Sequence, residues 1–345
     1  MKDTMDTQKH VMIIAEAGVN HNGDFETALK LVDAAVEAGV DYVKFQTFKS
    51  EKLTAKSAPK ANYQKETTDS AESQQDMLKK LELTQDMFMR LKDYCSEKAI
   101  GFMSTPFELD SLEFLLNLGV DSIKLSSGDI TNYPLLRAIG LSGKPVIIST
   151  GMCDIAEVEE AVAVLKDNGA EDIAILHCNT QYPTPFADVN LKAMDTLRER
   201  FGGIIGYSDH TEGIEAPIAA VAMGAEVIEK HFTLDKNMPG PDHKASLNPE
   251  ELKSMVRAIR NIEMAIGTGI KQPSPSEKEN IAIARKSIVA ACDIKAGEIF
   301  SEENLTSKRP GSGISPMMWE ALIGRPAKSD YNADDLINVA ELENA

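Results

Sequence analysis

The chain has 345 residues, 43% of them apolar and 26% charged, with a formal net charge of −18. That length suits a barrel of about 250 residues with a small extra domain better than one compact core. So acidic a surface excludes the basic footprint of a nucleic-acid binder, and it would repel an anionic substrate unless positive groups cluster inside a cleft.

The opening segment, MKDTMDTQKH, lacks the apolar core of a secretion signal, so the expected location is cytoplasmic. Eight short β-branched apolar runs come next, near 11–15, 42–46, 100–104, 122–126, 146–149, 173–177, 204–207 and 227–231, each succeeded by an amphipathic stretch. Over 25–38, 85–98, 155–168 and 249–266, apolar residues recur at i, i+3, i+4 and i+7, the period of a helix. Thr84 and Asn248-Pro249 stand where two of these helices should start, Gly39 and Gly169 where two should end. Alternating strands and helices require parallel pairing, and eight such units imply closure into a (β/α)8 TIM barrel. The rival, an open doubly wound sheet, usually carries GxGxxG after its first strand; AEAGVNHNG does not fit that pattern.

One connection, between Phe48 and Leu83, is far longer than the others. It reads either as a solvated loop or as a lid at the barrel mouth that carries substrate contacts. The stretch KQPSPSEKE at 271–279 reads as a linker, and the C-terminal segment beyond it, punctuated by Gly297, Gly311 and Gly313, as a small β-rich domain. The expected division is a catalytic barrel over 1–270, a linker over 271–284 and the small domain over 285–345. No apolar run approaches the roughly 18 residues that cross a bilayer, so no membrane role is expected. Cys95, Cys153, Cys178 and Cys292 form no CxxC pair and are expected as free thiols.

Chemistry gathers at the strand ends: Glu16; Lys44 and Gln46; Ser104-Thr105; Lys124, Ser126 and Ser127; Ser149-Thr150; His177-Cys178-Asn179; Ser208-Asp209-His210; Glu229 and His231. Any one of these could be a satisfied polar group at a loop start. Together they converge on the mouth where barrel enzymes keep their sites. Lys44 and Lys124, with Thr105, Ser127 and Ser149, suit a phosphate or carboxylate; each lysine could instead pair with a barrel carboxylate or form a Schiff base. His210 and His231 end adjacent strands, which run about 4.8 Å apart. Beside Asp209, Glu229 and the PGPDH segment at 239–243, they suit one divalent cation with open positions, acting as a Lewis acid. His21, in VNHNG, either binds substrate or caps the next helix. His177 reads as a packed barrel residue, and Tyr182, in QYPTP, as a sugar contact on a proline-stiffened loop.

The ordered motifs AEAGVNHNG, VKFQTFK, STPF, KLSSGDITNYPLL, ISTGM, LHCNTQYPTP, GYSDHT, EKHFTLD, MPGPDH and SKRPGSGIS resemble the sialic acid synthase family, over residues from about 13 to 325. The final segment resembles that family's antifreeze-like (SAF) domain. The resemblance implies a TIM barrel plus this domain, in a domain-swapped homodimer where the small domain of one subunit covers the other's active site. It implies N-acetylneuraminate synthase activity: condensation of phosphoenolpyruvate with N-acetylmannosamine, an N-acylated amino sugar, releasing phosphate. A divalent metal is needed, typically Mn²⁺, with Mg²⁺ or Co²⁺ as alternatives. By motif, the metal ligands are His210 and His231, and the phosphoenolpyruvate contacts are Lys124, Thr105, Ser127, Ser149 and Ser208, with Lys44 added. The sugar contacts are Gln46, Tyr182, Asp242 and, from the partner subunit, Arg309; Glu16 and Glu229 resemble the catalytic carboxylates, and Lys124 would also stabilise the departing phosphate. Asp129 stands in SSGD where other members have Glu, near the sugar, and Asn179-Thr180 stands where some have Thr-Asn. Those departures leave the sugar open, since relatives with much of this pattern make legionaminic or pseudaminic acid from 6-deoxy sugars such as a 2,4-diacetamido-2,4,6-trideoxyhexose. Two readings compete: a Schiff-base aldolase on Lys124 or Lys44, and a non-catalytic sugar-binding module.

Overall fold

The computed structural model describes residues 10–343, except 62, 63, 66, 67 and 69–71. The residues 1–9 on which the reading of a secretion signal mainly rests lie outside that set, as does part of the long connection read as a lid. The described residues divide into two units, one ending at Gly267 and one starting at Thr268.

In the first unit, eight strands form one parallel sheet: β1 (Met12–Gly18), β2 (Tyr42–Thr47), β3 (Gly101–Pro106), β4 (Ile123–Leu125), β5 (Val146–Ser149), β6 (Ile173–Cys178), β7 (Ile204–Asp209) and β8 (Val227–His231). The order is β3-β2-β1-β8-β7-β6-β5-β4, and β3 and β4 lie side by side, so the sheet curls into a nearly closed (β/α)8 barrel. Helices alternate with the strands, and their ends follow side-chain chemistry. Thr84 accepts from the Met87 N–H to start Gln85–Glu97, Asp154 and Glu157 form a capping box for Ile155–Asp167, and Asn248 and Glu251 form one for Pro249–Ile266. Gly39 ends Phe25–Ala38 in the left-handed region.

Two apolar layers arise from the two-residue period of the strands. Outward residues such as Ile13, Val43, Ile148, Ile205 and Ile228 join the helices in the main core. Inward residues Ile14, Met103, Ile147, Leu176 and Val227 fill the barrel's lower interior. Gly206 belongs to that crowded interior: a Cβ there would lie 2.3 Å from the Val227 carbonyl oxygen and 2.6 Å from Leu176. Moving two residues toward the C-terminal end on the same faces replaces Ile14 by Glu16, Met103 by Thr105, Ile147 by Ser149 and Val227 by Glu229. The apolar plug therefore becomes the floor of a polar cavity.

In the second unit, β9 (Ser287–Ala290) pairs antiparallel with β10 (Leu305–Lys308) around a small core that includes Ile288, Ile294, Phe300, Leu305, Leu322 and Tyr331. The segment expected as a plain linker is partly helical over Lys278–Ala284. A capping box between Ser274 and Glu277 starts the preceding 3₁₀ turn, a local signal that the Pro/Ser/charge composition conceals.

Candidate active site

The strand ends enclose a cavity of about 460 Å³. It brings together Glu16, Lys44, Gln46, Thr105, Lys124, Ser127, Ser149, Tyr182, Ser208, His210, Glu229, His231 and Asp242, nearly all the residues singled out from the sequence. Of the residues given a catalytic, substrate or cation role by the resemblance, two are not in its lining. Asp129 is buried beside it, its carboxylate accepting from Ser126 Oγ at 2.9 Å and Asn132 Nδ2 at 3.0 Å. Arg309 belongs to the second unit, where its Nε donates to the Ala284 carbonyl at 3.0 Å.

Register explains the convergence. Glu16 pairs with Lys44 across β1–β2 and with His231 across β1–β8, while Ser208 pairs with Glu229 across β7–β8. Lys44 Nζ lies 2.7 Å from Glu16 Oε2 and 3.7 Å from Glu229 Oε2, and donates to Thr105 Oγ1 at 3.2 Å. The contact to Glu16 Oε2 is a close ion pair, whereas Glu229 Oε2 lies beyond hydrogen-bond reach of Lys44 and is buried without a hydrogen-bond partner. Lys124 Nζ donates to Ser149 Oγ at 2.6 Å and lies 3.7 Å from Glu229 Oε1. Gln46 donates to Glu16 Oε1, and Ser208 to Glu229 Oε1, both at 2.9 Å.

These environments pull the two glutamates apart. Burial raises Glu16 above the ordinary carboxylate value, and Lys44 only partly offsets it. For Glu229 burial acts in the same direction, but Lys124 and Lys44 together outweigh it and the group falls below its ordinary value. Lys44 rises because Glu16 and Glu229 overcome the effect of burial, whereas burial wins at Lys124 and lowers it. One carboxyl is thus tuned toward carrying a proton and the other toward staying charged.

Above this floor, the rings of His210 and His231 lie 5.2 Å apart, with Tyr182 4.0 Å from His210 and 5.6 Å from His231. His210 Nδ1 is bonded to the Asn179 carbonyl, which leaves Nε2 as its free nitrogen. His231 Nδ1 is buried without a hydrogen-bond partner, 3.8 Å from Asp242 Oδ2. Burial, with His210 adding to it, keeps His231 well below its ordinary value and so neutral. Burial pushes Asp242 up to about 6. Burial alone would lower His210, but Cys178 and the Asn179 carbonyl outweigh it and hold the group above its ordinary value, so His210 would release its proton on binding a cation. With that proton gone, two imidazole nitrogens beside a carboxylate fit a divalent cation. Among the described residues no three or more His, Cys, Asp or Glu side chains form a ready metal cage, so water or substrate oxygens would complete its shell.

Several lining residues were not singled out from the sequence as ligands. Thr54, Ala61, Gln64, Gln74, Met77 and Leu78 come from the long connection, Met152 follows β5, and Cys178 ends β6. Cys178 had a usable signal, since it lies two residues beyond the inward Leu176. His21 neither lines the cavity nor caps the helix. Asp24 accepts from the Thr27 N–H at 2.8 Å as the cap, and His21 Nδ1 accepts from the Gly23 N–H at 3.0 Å. His177 is bonded to the Val189 carbonyl at 2.7 Å and stacks on Tyr207. No helix among the described residues is long and apolar enough to cross a membrane.

A model described as the NeuB family matches residues 31–271, and one described as the SAF domain matches 285–343. The N,N'-diacetyllegionaminic acid synthase of Campylobacter jejuni is 53% identical over 331 residues, covering 95% of this chain and 99% of that protein. The protein of the same name from Legionella pneumophila is 48% identical over 325 residues, covering 93% and 91%. The crystal structure of an N-acetylneuraminic acid (sialic acid) synthetase from Leptospira borgpetersenii, in complex with citrate, superposes with a TM-score of 0.70 at 38% identity, covering 79% of this chain and 91% of that one.

Proposed function

The chain belongs to the NeuB family, and from that premise we propose that it condenses phosphoenolpyruvate with an N-acylated amino sugar and releases phosphate. The observation that carries this reading is one cavity holding two buried lysines amid hydroxyls next to two buried imidazoles. The preferred sugar is 2,4-diacetamido-2,4,6-trideoxymannose, making the product N,N'-diacetyllegionaminate. Relatives bearing that name are 53% and 48% identical, against 38% for the sialic acid synthetase structure.

Lys124, Lys44, Thr105, Ser127, Ser149 and Ser208 hold the enol phosphate so that carbon 3 faces the sugar aldehyde, which lowers the entropic cost of their meeting. Gln46, Tyr182 and Asp242 orient the sugar. A divalent cation, Mn²⁺ by preference, would be held by His210 and His231 and would supply a Lewis acid for the aldehyde oxygen. Carbon 3 bonds to the aldehyde carbon, and water adds to carbon 2 of the former enol. Glu16, with its raised pKa, takes one proton of that water and hands it to the former aldehyde oxygen, which ends as a hydroxyl, and the other proton goes to the departing phosphate as the ketone forms; ionised Glu229 stabilises positive charge developing at carbon 2. Phosphate then leaves by C–O cleavage against the Lys124 ammonium.

Phosphate release with Mn²⁺ tests the sugar. The trideoxy diacetamido sugar is expected to outpace N-acetylmannosamine at equal concentration. The reverse order would make the enzyme an N-acetylneuraminate synthase, and silence with both would remove the substrate assignment.

In this reading the protein is a domain-swapped homodimer, and Arg309 serves the sugar from a second copy of the chain. Arg309→Ala is expected to raise the sugar KM with the fold intact. Glu16→Gln is expected to lower kcat by about 10²–10⁴-fold. Mixing the two variants should then restore part of the activity, and mixtures no more active than their components would count against contribution in trans.

A further inference from the structure

Asp209 and Lys230 form an ion pair that lies on the wrong face of the barrel for the site already described. They are register partners across β7–β8, and both side chains are fully buried. Their strand neighbours of the same parity, Tyr207 and Ile228, belong to the outer core beneath the helices, whereas Ser208, Glu229 and His231 face the cavity. A charged pair in an apolar layer is a poor stabiliser, because apolar residues of similar size usually serve as well or better. Its hydrogen bonds suggest what else it does. Lys230 Nζ donates to Asp209 Oδ2 and to the Thr211 carbonyl, both at 2.5 Å. Asp209 accepts from the Tyr207 hydroxyl at 3.0 Å, the Thr211 N–H at 2.9 Å and Thr211 Oγ1 at 3.1 Å. Both peptide groups of Thr211 are therefore gripped, and His210 sits between Asp209 and Thr211. His231 directly follows Lys230.

We infer that Asp209, Lys230 and Thr211 are positioning residues, a buried clamp behind the barrel wall that sets the two strand ends so that His210 and His231 present their nitrogens to one divalent cation. The inference rests on the reading that these histidines hold such a cation. Neither charge touches the cavity; the clamp acts through the backbone.

The test uses the full chain and Mn²⁺ alone, with free Mn²⁺ followed by its paramagnetic resonance signal and folding by thermal unfolding. Lys230→Met by itself leaves Asp209 buried and unpaired and should unfold at lower temperature. Combining it with Asp209→Leu removes both charges and should recover part of the lost unfolding temperature, the Tyr207 hydroxyl and Thr211 peptide groups remaining unpaired, while Mn²⁺ affinity stays about 10–100-fold weaker than in the parent. A pair that served only the fold would show recovery of both. Thr211→Val, nearly isosteric, guards against a double variant that does not fold. It is expected to weaken Mn²⁺ binding about fivefold, the equivalent of one hydrogen bond, and unchanged affinity there would overturn the inference. Parent protein that binds no Mn²⁺ would overturn the cation reading and this inference together. Parent binding with unchanged affinity in the folded variants would overturn this inference alone.

Discussion

Replacing His231 with alanine is expected to abolish divalent-cation binding and to slow phosphate release by about 1000-fold, while the protein stays folded. The imidazole leaves little behind when removed. Its Nδ1 has no hydrogen-bond partner, Asp242 Oδ2 stands 3.8 Å away, and the ring touches those of His210 and Tyr182. A Lewis acid is worth several kcal/mol at a polarised carbonyl, and about 4 kcal/mol corresponds to about 1000-fold in rate. His210→Ala should lose the cation equally but fold less well, because the Asn179 carbonyl loses the group bonded to it. An orphaned buried polar group costs about 1–3 kcal/mol. The comparison separates ligand from scaffold: two variants alike in Mn²⁺ titration and activity, unlike in urea unfolding. Full activity of either variant in the presence of a chelator would end the case for a Lewis acid.

The barrel is legible in the sequence because its signals are local. Each β-branched run and each capped amphipathic stretch announces one element, and eight in alternation leave few topologies. The strand boundaries are less legible. The first run reads as ending at Ala15, but β1 continues to Gly18 through an irregularity between Glu16 and Gly18 against β2, and only the partner strand reveals it. The site residues emerge from asking what ends each strand, which works when successive residues all face the mouth. It fails where the pleat separates them. Asp209 stands beside His210 in sequence as support for a cation, yet Asp209 points into the outer layer and binds Lys230, a residue that no strand-end argument singles out. Asp129 shows a related limit. SSGD places its backbone near the cavity, but Ser126 and Asn132 occupy its carboxylate, and those partners depend on the 3₁₀ turn over Ser127–Asp129.

Lys44→Met is expected to destabilise the protein by about 3–5 kcal/mol at neutral pH, the usual consequence of leaving a buried charge without its partner. Glu16 depends on Lys44 most, since its other side-chain partner is the neutral Gln46. The pH dependence comes from the direction of the Glu16 shift. Burial raises its folded-state pKa above the ordinary value, so the folded protein holds this proton to higher pH than the unfolded chain does. Stability is therefore lost as pH rises from the ordinary carboxylate value through the folded one. Without the Lys44 ammonium the folded value climbs further and the window widens upward, so the deficit should be small in acid and full near neutrality. Urea unfolding of the parent and Lys44→Met at several pH values measures this; equal stability throughout would show that Lys44 is not the counter-charge. Adding Glu16→Gln should restore most of the lost stability and none of the activity. Lys124→Met should behave differently, because Glu229 would keep Lys44 and the Ser208 hydroxyl. Its loss should fall on phosphoenolpyruvate binding and phosphate departure. The two lysines look interchangeable in sequence, but their surroundings divide the work: Lys44 alone neutralises Glu16 at close range, and Lys124, which shares Glu229 with Lys44 and which burial makes readier to give up its charge, answers most directly to an incoming anion.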